Sequence, residues 1–334
     1  MNKTLIIAEA GVNHNGDLEI ARELVRRAAA AGADFIKFQT FQTARSISRH
    51  APKADYQKQT TGASESQYEM VKRLELSEAD HLALVDECRR AGIGFFSTAF
   101  DRDSHDLLIR LGIDRVKIPS GEITNLPLLR HLTREGLPVI LSTGMATLGD
   151  IETALDIIQE NGTPRDRVTL LHCTSEYPAP MHEVNLRAMV TLGKAFGTAI
   201  GYSDHTEGIE VPIAAVALGA TVIEKHFTLD RSMAGPDHLA SIDPPQLDAM
   251  VAAIRNIERA LGDGVKRPTE SERRNVRVAR KSIVAARPIR AGEIFDEDNL
   301  DTKRPGTGIS PLLWDSVMGR AATRDFDADE PIVL

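Results

Sequence analysis

Two histidines stand at matching places in the chain. His205 follows the short apolar run Thr198–Gly201, and His226 closes the run Thr221–Lys225. Imidazole is the commonest side-chain metal ligand. Two of them at neighbouring strand ends can meet over one point. No cysteine accompanies them, and their spacing matches no structural zinc pattern, so they suit a labile divalent ion with open positions better than a closed zinc site. The competing reading is that each is a hydrogen-bonded core residue. A second set comprises Lys37, Lys117 and the hydroxyls of Thr98, Ser120, Ser142 and Ser203. Ammonium groups neutralise an anion, while hydroxyls and backbone N–H groups fix its oxygens, as a phosphate requires. Here the alternative is that each lysine pairs with a carboxylate and the serines cap helices.

These groups need a frame that brings distant stretches together. Strand-like runs alternate with helical patterns eight times, from Leu5–Glu9 and the Asp17-capped helix to Ala31, through Phe35–Gln39, Gly94–Thr98, Arg115–Ile118, Val139–Leu141, Val168–His172, Thr198–Gly201 and Thr221–His226. Such alternation implies parallel strands with right-handed crossovers, and eight units close into a (β/α)8 TIM barrel. No G-x-G-x-x-G follows the first strand, which argues against an open dinucleotide-binding sheet. Barrel enzymes place their chemistry at the C-terminal strand ends, and every such end here is polar. Side chains alternate faces along a strand. Lys37 therefore shares a face with Gln39, and Glu224 with His226, whereas Lys225 points outward and is disfavoured as a Schiff-base lysine. The polar segment Thr40–Ser66 has no clear period and is too long for a simple connector, which marks it as a functional loop. After Leu261 the pattern changes. Residues 1–262 are expected to form the barrel, 263–280 a partly helical linker, and 281–334 a small β-rich module.

With 334 residues, 42% hydrophobic and 26% charged, the composition is that of an ordinary globular protein. A net charge of −8 and only 4% aromatic residues argue against nucleic acid and anionic membranes as partners. No apolar run approaches the ~18 residues that a membrane span needs. Cys88 and Cys173 form no paired framework and suit packing in a reducing cytoplasm. His172 is expected to be structural, and His14, in a glycine-bearing loop, either touches substrate or caps a turn.

Seven long motifs carry a resemblance: IAEAGVNHNG (7–16), FIKFQTF (35–41), KIPSGEITNLPLL (117–129), LSTGMA (141–146), LHCTSEYPAP (171–180), GYSDHTEGIEVPIAAVALGA (201–220) and IEKHFTLDRSMAGPDH (223–238). The chain closely resembles the sialic acid synthase family, which includes N-acetylneuraminate, legionaminate and pseudaminate synthases. Its C-terminal module resembles the antifreeze-like (SAF) domain that ends these enzymes. The resemblance implies condensation of phosphoenolpyruvate with an N-acetylated mannosamine-type sugar and release of phosphate. It implies that Lys37, Thr98, Lys117, Ser120, Ser142 and Ser203 bind phosphoenolpyruvate. Ser175 joins them less firmly, because some relatives carry asparagine near there. His205 and His226 match the metal ligands, for Mn2+ foremost, with Mg2+ or Co2+ as alternatives. Glu9, Gln39, Glu122, Tyr177 and Asp237 match sugar-contacting positions. Arg304 matches an arginine contributed by the partner subunit of a homodimer with swapped C-terminal domains.

The expected function is therefore an N-acetylneuraminate synthase that uses N-acetylmannosamine and cleaves a C–O bond, with Glu122 positioning or deprotonating the water and Glu9 and the two histidines beside it. The alternative is an N,N'-diacetyllegionaminate synthase using 2,4-diacetamido-2,4,6-trideoxymannose. A Schiff-base aldolase using Lys117 or Lys225 and a non-catalytic sugar-binding protein rank well below both.

Overall fold

The structure is a computed structural model. It describes residues 3–62 and 64–334, apart from the side chains of residues 56 and 59. The chain divides into two compact units, Met1–Gly262 and Asp263–Leu334.

In the first unit eight parallel strands close a barrel in chain order: β1 (Leu5–Gly11), β2 (Phe35–Thr40), β3 (Gly94–Ala99), β4 (Val116–Ile118), β5 (Val139–Ser142), β6 (Val168–His172), β7 (Ala199–Asp204) and β8 (Val222–His226), which pairs back onto β1. The first crossover helix, α1 (Leu18–Ala30), starts where Asp17 accepts hydrogen bonds from the N–H groups of Glu19 and Ile20. Between β2 and β3 lie α2 (Thr43–Ser46), α3 (Asp55–Thr61), α4 (Gln67–Lys72) and α5 (Glu78–Ala91), the last opened by a capping box of Ser77 and Asp80. The segment read as a loop thus carries two short helices, α2 and α3; its residue 63 lies outside the described residues. Single helices complete the ring: α6 (Arg102–Arg110), α7 (Leu126–Thr133), α8 (Leu148–Glu160), α9 (Leu186–Phe196), α10 (Glu210–Ala217) and α11 (Pro244–Leu261).

Strand parity sorts the side chains. Ile6, Ala8, Ile36, Phe38 and Ile223 face outward into the layer between strands and helices. Ile7, Phe96, Ile140, Leu171 and Val222 face inward and plug the barrel. Each buried side chain of this size contributes roughly 1.5–3 kcal/mol. The plug makes a floor, and the inward residues one step further along each strand stand above it. Two such residues, Ser203 and His205, were expected beyond the end of β7. Ser203 lies within that strand, which runs three residues past Gly201, and His205 follows its last residue.

The second unit begins with α12 (Glu270–Ala279), inside the stretch expected to be a linker. Strands β9 (Ser282–Ala285) and β10 (Leu300–Lys303) pair antiparallel. Ile283, Ile289, Phe295, Leu300 and Phe326 build its own small core, which Val317 of helix α13 (Trp314–Val317) completes. Among the described residues, no helix is long and apolar enough to cross a membrane.

Candidate active site

The strand ends of the barrel open into a cavity of about 450 Å3. All fourteen candidate residues of the barrel line it: Glu9, Lys37, Gln39, Thr98, Lys117, Ser120, Glu122, Ser142, Ser175, Tyr177, Ser203, His205, His226 and Asp237. Register explains the convergence. Glu9 pairs across to Lys37 on one side and His226 on the other, Gln39 to Thr98, Thr98 to Lys117, and Ser203 to Glu224.

The lysines sit on one side. Lys37 Nζ donates to Thr98 Oγ1 at 3.0 Å and lies 2.9 Å from Glu9 Oε2. Lys117 Nζ donates to Ser142 Oγ at 2.7 Å. Between them stands Glu224, with Oε2 3.6 Å from Lys37 and Oε1 3.7 Å from Lys117, and Ser203 Oγ donates to Oε1 at 3.0 Å. All three charges are buried. Burial depresses the Lys117 ammonium, whereas for Lys37 the nearby Glu224 and Glu9 outweigh burial and hold it above its ordinary value. Burial would raise Glu224, but the two lysines hold it down. Burial pushes the Glu9 carboxyl up to about 7. The two lysines thus face Glu224, which they hold as a carboxylate, and Glu9, whose carboxyl titrates near neutrality.

The imidazoles sit on the other side, with ring centroids 5.3 Å apart. His205 Nδ1 lies 2.6 Å from the Thr174 carbonyl. Only an N–H can face a carbonyl, so Nδ1 carries the hydrogen and Nε2 the lone pair. His226 Nδ1 is buried without a hydrogen-bond partner, 3.9 Å from Asp237 Oδ2. Burial holds both rings below the usual histidine range, and hence neutral. Tyr177 stacks on His205 at 4.1 Å and meets His226 edge-on at 5.4 Å. Burial raises Asp237 to about 6. Two neutral imidazoles, one with a fixed tautomer and one with an orphaned nitrogen, fit a divalent ion. Among the described residues no group of three or more His, Cys, Asp or Glu is placed to hold a metal ion.

The remaining residues occupy the rim. Ser120 Oγ accepts from the Gly144 N–H at 2.9 Å and lies 3.1 Å from Cys173 Sγ. Glu122 Oε2 accepts from Asn125 Nδ2 at 2.6 Å, and Gln39 Nε2 donates to Glu9 Oε1 at 3.3 Å. Arg304 belongs to the second unit, where it is exposed and its Nε donates to the Ala279 carbonyl at 3.0 Å. Lys225 does not line the cavity; it is buried against Asp204. His14 caps its own loop, accepting from the Gly16 N–H, and His172 bonds the Val184 carbonyl.

Sequence reasoning gave no role to three features of the cavity. Glu224 was marked only as a strand-end residue on the face of His226, and that parity was the available signal. Cys173, expected to be mere packing, lines the cavity. The apolar wall of Val12, Phe41, Met70, Val71, Leu74 and Phe100 carried no signal, because its members come from separate segments.

A (β/α)8 frame whose mouth joins buried ammonium groups to neutral imidazoles is that of an enzyme acting on an anionic substrate. The chain belongs to the NeuB family, whose model matches residues 24–266, and its residues 280–334 match the SAF domain. It is 54% identical to the N,N'-diacetyllegionaminic acid synthase of Campylobacter jejuni, over 99% of both chains. It is 48% identical to the N,N'-diacetyllegionaminic acid synthase of Legionella pneumophila, over 97% of this chain and 91% of that one. Among solved structures, an N-acetylneuraminic acid (sialic acid) synthetase from Leptospira borgpetersenii is 37% identical with a TM-score of 0.72, covering 82% of this chain and 90% of that one.

Proposed function

We propose that the protein condenses phosphoenolpyruvate with 2,4-diacetamido-2,4,6-trideoxymannose and water, giving N,N'-diacetyllegionaminate and phosphate. The observation that carries this reading is the lysine pair of one cavity, sharing Glu224 at 3.6 and 3.7 Å beside two neutral imidazoles. The substrate revises the first expectation. Identities of 54% and 48% to two legionaminic acid synthases, against 37% to the N-acetylneuraminic acid synthetase, favour the diacetamido sugar over N-acetylmannosamine.

In this reading Lys37, Thr98, Lys117, Ser120, Ser142, Ser175 and Ser203 hold phosphoenolpyruvate against the barrel floor. Glu9, Gln39, Tyr177 and Asp237 orient the open-chain sugar, with Arg304 of the partner subunit completing the site in a swapped homodimer. His205 and His226 are the residues that would hold a divalent ion, Mn2+ foremost, and when bound it supplies a Lewis acid for the aldehyde oxygen. The enol carbon forms a bond to the aldehyde carbon, water adds to the adjacent carbon, and phosphate departs with the bridging oxygen. Glu122 positions the water or takes its proton. The fixed charges that line the cavity stabilise the charge that develops on this path.

The test is phosphate release with a panel of sugars, using phosphoenolpyruvate labelled with ¹⁸O at the bridging oxygen. Release with the diacetamido sugar and label in phosphate support the reading. Label retained in the keto acid refutes C–O cleavage.

A further inference from the structure

Asp237 enters the cavity from the loop between β8 and α11, and nothing at its own side chain fixes it there. Among the described residues its carboxylate accepts no hydrogen bond, and His226 Nδ1 stands 3.9 Å away, beyond hydrogen-bond reach. The place of this carboxylate is therefore set by the backbone that carries it. The ends of the loop are stapled together: the Ile242 N–H donates to the His226 carbonyl at 2.9 Å, and the Thr228 N–H to the Ile242 carbonyl at 3.0 Å. The staple closes the loop without deciding how its crown sits against the barrel mouth.

The stretch Asn13-His14-Asn15-Gly16 that follows β1 supplies that contact. Asn13 is buried, and both hydrogens of its amide nitrogen go to the loop. Nδ2 donates to the Phe227 carbonyl at 2.9 Å and to Ser241 Oγ at 2.8 Å. A carbonyl only accepts, so the atom facing it is the nitrogen. Ser241 Oγ in turn donates to the Asp237 carbonyl at 2.7 Å. Asn15 Oδ1 lies 3.2 Å from Nε2 of His238, the residue after Asp237, and His238 Nδ1 lies 2.7 Å from Thr228 Oγ1. The crown passes so close that a Cβ on Gly235 would lie 2.6 Å from His238 Cδ2 and 2.9 Å from Asn15 Oδ1. The Phe227 N–H also donates to the Glu9 carbonyl at 2.8 Å, so the grip refers Asp237 to the strand that carries Glu9. Asn13 Oδ1 is left buried without a hydrogen-bond partner. An unpaired buried acceptor is destabilising, so stability alone does not account for an asparagine here.

We propose that Asn13, acting through Ser241, is a positioning residue for the sugar half of the reaction, with Asn15 and His238 bracing the same point of the loop. The proposal rests on the synthase reading above, in which Asp237 and Glu9 orient the sugar while the lysine side holds phosphoenolpyruvate. None of these four residues lines the cavity. Their effect reaches the substrate through Asp237, and it falls on one substrate of the two.

The experiment is steady-state kinetics of the full-length enzyme with phosphoenolpyruvate and whichever sugar of the panel above supports phosphate release. Ser241→Ala breaks the relay and adds no bulk. It should lower kcat/KM for the sugar, by up to about 100-fold if Asp237 moves by about 1 Å, and leave KM for phosphoenolpyruvate unchanged. Asn13→Asp sets a carboxylate oxygen against the Phe227 carbonyl and should show the same split; where it does not fold, Ser241→Ala decides. In an Asp237→Asn background Ser241→Ala should lower kcat/KM for the sugar no further, because groups that act through one another are not additive. Wild-type kcat/KM for the sugar in Ser241→Ala overturns the proposal, as does an equal rise in KM for both substrates or full additivity with Asp237→Asn. Each of these leaves the synthase reading standing. Phosphate release by the wild-type enzyme with no sugar of the panel overturns both together.

Discussion

Lys225 Nζ lies 2.6 Å from Asp204 Oδ2, and both side chains are completely shielded from solvent. The ammonium also donates to the Thr206 carbonyl. The pair faces away from the cavity, on the outer side of β7 and β8. Burial depresses the lysine, and Asp204 holds it up. Removing one partner strands the other charge. Lys225→Met should therefore cost about 3–5 kcal/mol in denaturant unfolding, while the folded fraction keeps its turnover. Borohydride should trap no substrate adduct on Lys225 or Lys117, and chelation should stop the reaction. A trapped adduct would restore the Schiff-base aldolase.

Glu224 fills, in the free enzyme, part of the charge role that a bound anion would share. Glu224→Gln leaves Lys37 and Lys117 buried with less compensation. We expect a lower melting temperature for this variant without ligand, and a larger upward shift on adding phosphoenolpyruvate than in the wild-type protein. Equal shifts in the two proteins, followed by scanning fluorimetry, would remove the lysines from the phosphate site.

Gly144 is required by crowding, not by its backbone angles. A Cβ there would lie 2.2 Å from Ser175 Oγ, 2.9 Å from Ser120 Oγ and 3.0 Å from Cys173 Sγ. Gly144→Ala must displace the two hydroxyls assigned to phosphoenolpyruvate. A displacement near 1 Å can cost on the order of 100-fold in rate. Steady-state kinetics should show a drop of that order in kcat/KM for phosphoenolpyruvate, with unfolding little changed.

His14 gives the protein an acid limit. It is fully buried, and burial holds it down to about 4, from 6.5. Between pH 6.5 and 4 the unfolded chain binds a proton that the folded chain does not. Stability therefore falls as pH drops through that window, by up to about 3 kcal/mol from this residue at pH 4. His238, also buried and held to about 4, adds in the same direction. Denaturant midpoints at pH 7 and pH 4.5 should differ less in His14→Asn than in the wild-type protein.

The sequence by itself determined what is local. Helix starts at Asp17 and Ser77 follow from side chains that reach N–H groups two or three residues on. The two-residue period of a strand turned Lys37 with Gln39 and Glu224 with His226 to the inside, and Lys225 to the outside, before any distance was known. Strand ends were less legible, since β7 runs on through the polar Ser203 and Asp204 on the strength of its pairing with β8. The helices of the 40–66 segment escaped because they are short, and the start of α2 is held by distant Glu75 and Asp101. Only the tertiary structure decided how the facing groups divide. Closure of the barrel brought Glu224 between two lysines on other strands, fixed the His205 tautomer on Thr174, and set Val12, Met70 and Phe100 into one wall. Those relations depend on register and on the angle at which strands close, which no spacing within a strand records.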